Sequence, residues 1–198
     1  MGVRPILLAL PEWAEECLRV SGARALAPDE RMRLVIRLSA LNVERGTGGP
    51  FAAAVFEQDT GRLLAAGVNL VVPLGCSVWH AEIVALAFAQ QAAGSYDLGA
   101  DGAPARELVA STEPCAMCMG AIPWSGVRRL VCGARGEDAC ALGFDEGAKP
   151  ADWVDEFERR GITVRRDVCR EEAVSVLRRY AERGGPVYNP RRVGWNRA

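Results

Sequence analysis

Cys115 and Cys118 stand three residues apart in the stretch STEPCAMCMG, directly behind Pro114. Such a C-x-x-C pair suits a redox disulfide, half of a metal site or two small core residues, and partners elsewhere in the chain decide between them. The chain has one histidine, His80, in the segment WHAE, and Glu82 follows it two residues later. A redox pair leaves His80 and Glu82 without a role, and a Cys–His hydrolase leaves the second cysteine without one. Together His80, Cys115 and Cys118 make a three-donor set for zinc, whose tetrahedron keeps one position open, as catalytic zinc sites do. The open position takes a water whose pKa the metal lowers toward about 7. Two residues beyond His80 on a helix, Glu82 is turned away from the metal and toward the pocket, spaced to carry protons rather than to ligate.

The elements must then bring two helix starts together. A helix is expected from Asp29, as N-cap, to about Asn42, on the stripe Met32, Leu34, Val35, Leu38 and Leu41. Phe51–Glu57 and Leu63–Val72 read as a hairpin around Asp59-Thr60-Gly61. Helices are expected over Ala81–Ala93, Pro114–Trp124, Ala151–Arg160 and Glu171–Arg183, and strands over Glu107–Ser111, Val127–Gly133 and the segment GITVRR. Strands alternating with helices predict a three-layer α/β/α sandwich. His80 and Cys115 each fall where a strand gives way to a helix, and helices side by side on one sheet face can bring such starts together. Pro114 suits a first helical turn, where its missing N–H costs nothing. The positive helix end favours the thiolates a metal needs. Residues 1–27, interrupted by Pro5 and Pro11, read as an N-terminal extension, 28–185 as one domain and 186–198 as an irregular tail.

Composition narrows the class. Hydrophobic residues make up 49% and charged residues 25%, an ordinary globular balance, and the net charge of −1 gives no field that draws nucleic acid or an anionic membrane. Seven cysteines without a framework suit a reducing compartment. The apolar run Ile6–Leu10 is too short for a signal core or a membrane span, so the expectation is a soluble, cytoplasmic protein. Cys17, Cys76, Cys132, Cys140 and Cys169 read as small apolar residues.

H-x-E followed by P-C-x-x-C is the signature of zinc deaminases, and the chain resembles the cytidine deaminase superfamily, whose fold is a mixed five-stranded sheet between helices. Within it, GGPFAAAVF, HAEIVALAFAQ, STEPCAMCMGAIPWSGVRRLVCGAR and GFDEG look like bacterial guanine deaminases, particularly those that also accept ammeline. The resemblance implies zinc on His80, Cys115 and Cys118 and Glu82 as proton shuttle. It also implies that Phe51 stacks on the base, that Asn69 bonds to it, and that the main chain of Ala81 and the turn near Glu113 line the pocket. Glu146 in GFDEG is the acidic group expected to face the substrate and help with proton transfer, with Asp145 as the alternative. The tail is expected to close the pocket. A homodimer is expected across PCAMCMGAIPW, where Met117, Met119, Ile122 and Trp124 present apolar surface. The implied reaction is guanine and water to xanthine and ammonia. Ammeline, cytosine and guanosine stay open as substrates. A tRNA adenosine deaminase is the other reading, and near-neutral charge with GFDEG in place of a basic loop stands against it. A binding domain with structural zinc leaves Glu82 unexplained. The expected partner is therefore a small base, with neither nucleic acid nor membrane.

Overall fold

Strand β1 (Ala52–Glu57) is buried along its whole length and divides the interior in two. Ala52, Ala54 and Phe56 face one apolar cluster while Ala53 and Val55 face another, as the period-2 pleat requires of a strand covered on both sides. In the computed structural model, which describes residues 7–21 and 25–189, five strands lie in the order β2-β1-β3-β4-β5. The neighbours of β1, β2 (Leu63–Val68) and β3 (Arg106–Thr112), run antiparallel to it. Beyond β3, β4 (Arg129–Ala134) and β5 (Thr163–Arg165) are added in parallel. The sheet is mixed and five-stranded, as expected. Helices α2 (Pro28–Glu44) and α8 (Arg170–Glu182) cover one face. The other face is covered by α4 (Ala81–Ala93) and α7 (Trp153–Arg159). No helix among the described residues is long and apolar enough to cross a membrane.

Several local expectations need correction. Residues 12–21 form a helix, α1 (Glu12–Ser21), inside the segment read only as an extension. It begins directly after Pro11, ahead of the positions where a missing N–H matters. Trp13, Cys17 and Leu18 pack on the core beside α2, and the Trp13 indole donates to Thr47 Oγ1 at 3.1 Å. The N-cap of α2 is Ala27 rather than Asp29, with Pro28 at the first helical position and the Glu30 carboxylate accepting the Ala27 N–H at 2.9 Å. Strand β2 stops at Val68, and 71–74 coil into the one-turn helix α3 (Val71–Leu74), closed by Gly75 in the left-handed region at φ 59°. Helix α5 (Ala116–Ala121) is short, since Pro123 lacks the N–H that would continue it, and the chain tightens into a 3-10 turn over Ile122–Ser125. The loop after β4 holds a further turn, α6 (Gly136–Cys140), where the Asp138 carboxylate accepts the Arg135 N–H at 2.8 Å.

One buried ion pair ties the layers together. Arg31 of α2 donates to the Glu107 carboxylate of β3 at 2.6 Å, with side chains 6% and 3% exposed, and also reaches the carbonyls of Leu26 and Gln58. Removing the guanidinium leaves Glu107 buried with only the more distant Arg129, at 3.3 Å, to answer its charge. Arg31→Ala should therefore cost about 3 kcal/mol or more of stability, because breaking a buried pair strands a charge in low dielectric. Denaturant midpoints measure it, and a loss below about 1 kcal/mol would show that water relieves Glu107.

Candidate active site

His80 and Cys115 are both N-cap residues. Each has extended backbone, and each carbonyl opens its helix, the His80 carbonyl accepting from Val84 at 3.0 Å and the Cys115 carbonyl from Met119 at 2.8 Å. Pro114 consequently lies just outside α5 rather than in its first turn. His80 is separated from β2 by α3 and a loop, whereas Cys115 follows β3 almost directly. Cys118, at the third position of α5, is turned back toward the same point and is wholly buried.

The donor atoms of the three residues lie within 4.8 Å of one another. His80 Nδ1 is 3.4 Å from Cys115 Sγ and 3.6 Å from Cys118 Sγ. A tetrahedral ion with sulfur at about 2.3 Å and nitrogen at about 2.0–2.1 Å sets those atoms roughly 3.5–3.6 Å apart. These separations are therefore edges of a zinc tetrahedron, with Nδ1 as the ligating nitrogen. Protonation in the cluster is divided: the Cys115 hydrogen bond and burial push the Cys118 thiol well up, while Cys115 is pulled down. The Cys118 thiol and the His80 ring, hydrogen bonding to Cys115, pull its thiol down to about 4 against the opposing effect of burial. Burial works against the His80 imidazolium, but the Cys115 hydrogen bond and the nearby charges of Glu82, Cys115 and Glu146 outweigh it and raise the ring. A divalent cation entering such a cluster displaces the shared protons. The donor set and its spacing fit zinc.

The metal site opens into a cavity of about 330 Å³ that Phe51, Asn69, Glu82, Phe144, Glu146 and Tyr188 also line. That size is at the small end of ligand pockets, about 300–1,000 Å³. Glu82 is 8% exposed. Burial pushes its carboxyl up to about 7, with the Cys115 charge adding to the effect. Burial likewise pushes Glu146 up to about 8, reinforced by Cys115 and Glu82 and opposed by Lys149. Among the described residues, Glu146 Oε2 and the Tyr188 hydroxyl are buried polar atoms without a hydrogen-bond partner, carried by two residues that line the cavity.

The wall is built from distant segments. Phe51 meets Phe144 edge-on at 5.0 Å, and Tyr188 meets Phe144 at 5.3 Å. Gly49 leaves room for this wall, since a Cβ on it would lie 2.6 Å from the Tyr188 hydroxyl oxygen and push the ring aside. A Cβ on Gly48 would strike the Asn69 carbonyl at 2.0 Å. Asn42 spans that close approach, donating to the carbonyls of Gly49 and Asn69 at 2.8 and 3.0 Å. Asn69 Oδ1 accepts the Val71 N–H at 3.3 Å, so its amide NH2 is the end offered to the cavity.

The structure brings His80, Cys115, Cys118, Glu82, Glu146, Asp145, Phe51, Asn69 and Glu113 to one cavity. The Ala81 main chain, expected on the pocket wall, directly follows His80 at the start of α4, and its methyl packs into the core on the α4 side of the sheet. Asp145 Oδ1 accepts the Gly147 N–H at 2.9 Å and so shapes its own loop. The Glu113 carboxylate is engaged by Arg166 at 2.5 Å, Gly136 N–H at 3.1 Å and Lys149 at 3.2 Å. Its side chain is thus tied into the wall of the cavity it lines. Sequence reasoning missed Phe144 and Met117 as lining residues, though Phe144 sits inside the GFDEG motif and was within reach. Of the tail, Asn189 accepts the Asp145 N–H at 3.0 Å and donates to the Gly143 carbonyl at 2.7 Å, and residues 190–198 lie outside the described residues.

Comparison with known proteins agrees with this geometry. Residues 28–134 match the family described as the cytidine and deoxycytidylate deaminase zinc-binding region. A solved guanine deaminase from Nitrosomonas europaea is 49% identical, with a TM-score of 0.84 over 90% of this chain and 97% of that one. A solved structure in complex with 2,6-diaminopurine is 50% identical, with a TM-score of 0.84 over 92% and 96% of the two chains. The guanine deaminase of Bacillus subtilis is 34% identical over 115 residues, 58% of this chain and 69% of its own length.

Proposed function

Since the chain belongs to the cytidine and deoxycytidylate deaminase zinc-binding family, we propose that it hydrolyses guanine to xanthine and ammonia. The observation that carries this reading is one small cavity holding a zinc donor set, two buried carboxyls with raised pKa values and an aromatic wall. Bound at His80, Cys115 and Cys118, zinc supplies Lewis-acid activation of water near neutral pH.

The protein's own residues supply the rest. Phe51 offers a flat face to the base, and the Asn69 NH2 donates to a base acceptor. Glu82 takes the proton from the attacking water and returns it to N3, the unprotonated ring nitrogen beside C2. With the water oxygen bonded to C2, Glu82 takes the second proton from that new hydroxyl and passes it to the exocyclic amine; the bond from C2 to that amine breaks, ammonia leaves and the C2 carbonyl of xanthine forms. Burial leaves Glu146 largely protonated near neutral pH; once it has given up that proton it is acceptor-only, and guanine presents N1–H and the C2 amine as two donors on one edge. Its carboxylate, on a residue that lines the cavity, is the group that meets them. The described tail residues, through Tyr188 and Asn189, close the cavity on the Phe144 side.

Glu146→Ala should lower guanine turnover at least about a hundredfold while zinc stays bound, because a site built for hydrogen bonds loses its discrimination when the acceptor goes. Steady-state rates with metal analysis check it, and near wild-type turnover would remove Glu146 from the site. Substrate choice is tested by ammonia release over guanine, ammeline, cytosine, guanosine and an adenosine-bearing tRNA stem-loop. Guanine should lead the panel. Faster release from the stem-loop would favour the tRNA reading, which the net charge of −1 disfavours. The compartment we propose is a reducing one such as the cytoplasm, a reading that the free cysteines of the described chain support.

The assembly we propose is a homodimer through the α5 end. Trp124 is 85% exposed there, beside a groove formed with Met119, Pro123 and Phe157, and Met117 is also exposed. Ile122, expected on the same surface, is instead fully buried in its own core. Light scattering should give about twice 21.3 kDa. In Trp124→Glu the mass should fall to that of a monomer, and a wild-type monomer at micromolar concentration would refute the assembly.

A further inference from the structure

Lys149 lies three residues beyond Glu146, and its side chain is 12% exposed. Its ammonium is 3.2 Å from Glu113 Oε2 and 4.0 Å from the centre of the Trp153 ring. Trp153 opens α7 and is itself 5% exposed, so the cation is seated on a fixed platform rather than in solvent. Arg166 approaches the same ring and grips the other oxygen of Glu113. Glu113 immediately precedes Pro114 and Cys115, and its carboxylate also accepts from Gly136 N–H at the start of α6. The loop carrying Glu146 is thus held to the metal-bearing turn twice. One tie is the Ala116 N–H donating to the Glu146 carbonyl at 2.9 Å, and the other is Lys149 on Glu113. A Cβ on Gly136 would stand 3.6 Å from Glu113 Oε2 and 3.7 Å from Glu146 Oε2, so the two carboxylates converge on one glycine.

We propose that Lys149 is a positioning residue, whose ammonium, clasped by Glu113 and seated on Trp153, fixes the Glu146 carboxylate over the metal site. The inference rests on the reading of Glu146 as a substrate-facing acid. Removing the charge frees one of these ties, and the loop then samples positions from which the Glu146 carboxylate no longer meets the base. A near-isosteric apolar side chain keeps the packing on Trp153, so the charge alone is tested. Arginine keeps both the charge and the aromatic stacking.

The test has a kinetic arm and an exchange arm. Lys149→Met should keep full zinc and lower kcat on guanine at least about thirtyfold, while Lys149→Arg returns to within about fivefold of wild type. In a Glu146→Ala background, the same Lys149→Met change should matter less than about threefold, since two residues acting through one carboxylate are not additive. A purely structural role predicts equal losses in both backgrounds, and that result would overturn the proposal. Independently of turnover, amide exchange at Ala116 should speed up about tenfold or more in Lys149→Met and stay near wild type in Lys149→Arg and Glu146→Ala. An Ala116 amide unchanged in Lys149→Met would overturn the proposal as well. If wild-type protein did not turn over guanine, the substrate reading would fail, and the exchange arm alone would decide the role of Lys149.

Discussion

Glu82→Gln should lose about three to four powers of ten in turnover while keeping its zinc and its fold. Glutamine preserves the size and much of the polarity of the side chain, so α4 and the N-cap geometry of His80 are retained. What disappears is the group that can accept a proton and give it back. The carboxyl is 8% exposed and burial lifts it to about 7, poised to exchange protons at neutral pH. In the proposed mechanism one group serves both the ring nitrogen and the departing amine, so its loss would affect two steps. Rates with parallel metal analysis measure it. A variant that kept more than about a tenth of wild-type activity would mean that another residue moves the protons.

Cys118→Ala should fail differently, losing metal, activity and stability together. Cys118 is wholly buried and its Sγ is 3.6 Å from His80 Nδ1, so its removal breaks two edges of the donor tetrahedron and opens a small void. Metal content should drop well below one zinc per chain at ordinary zinc concentrations, because two protein donors remain where catalytic zinc sites use three. Thermal unfolding should move to lower temperature, and added zinc should stabilise the wild type much more than the variant. Equal zinc content in the two proteins would mean that the metal, if held, is held elsewhere.

The zinc site was legible in the sequence because ligation depends on residue type, and the chain offers a single imidazole to join the C-x-x-C pair. Both ligand segments also announce helix starts, and the structure places His80 and Cys115 at the N-caps of α4 and α5. The core was legible for a similar reason: period-2 and period-3.6 patterns are local. What escaped depends on contacts between distant segments. The Glu113 carboxylate is tied into the cavity wall by Arg166, 53 residues later, and by Lys149, 36 residues later. No spacing rule relates those positions. Phe144 and Tyr188 share a wall with Phe51 only because the β4–α6 side of the sheet and the tail fold over the same cavity. Helix α1 was hidden by its flanking prolines, although Trp13, Cys17 and Leu18 already carried a helical stripe.

The central claim is that a zinc ion held by His80, Cys115 and Cys118 makes this chain a guanine deaminase. The most direct test follows metal and ammonia together on one preparation. Purified protein is assayed on guanine, stripped with a chelator, assayed again, and then given one equivalent of zinc. About one zinc per chain should leave with the chelator, ammonia and xanthine formation should stop, and one equivalent should restore both. Full turnover by protein carrying well under one zinc per chain would contradict the account, as would fully loaded protein that releases no ammonia from guanine.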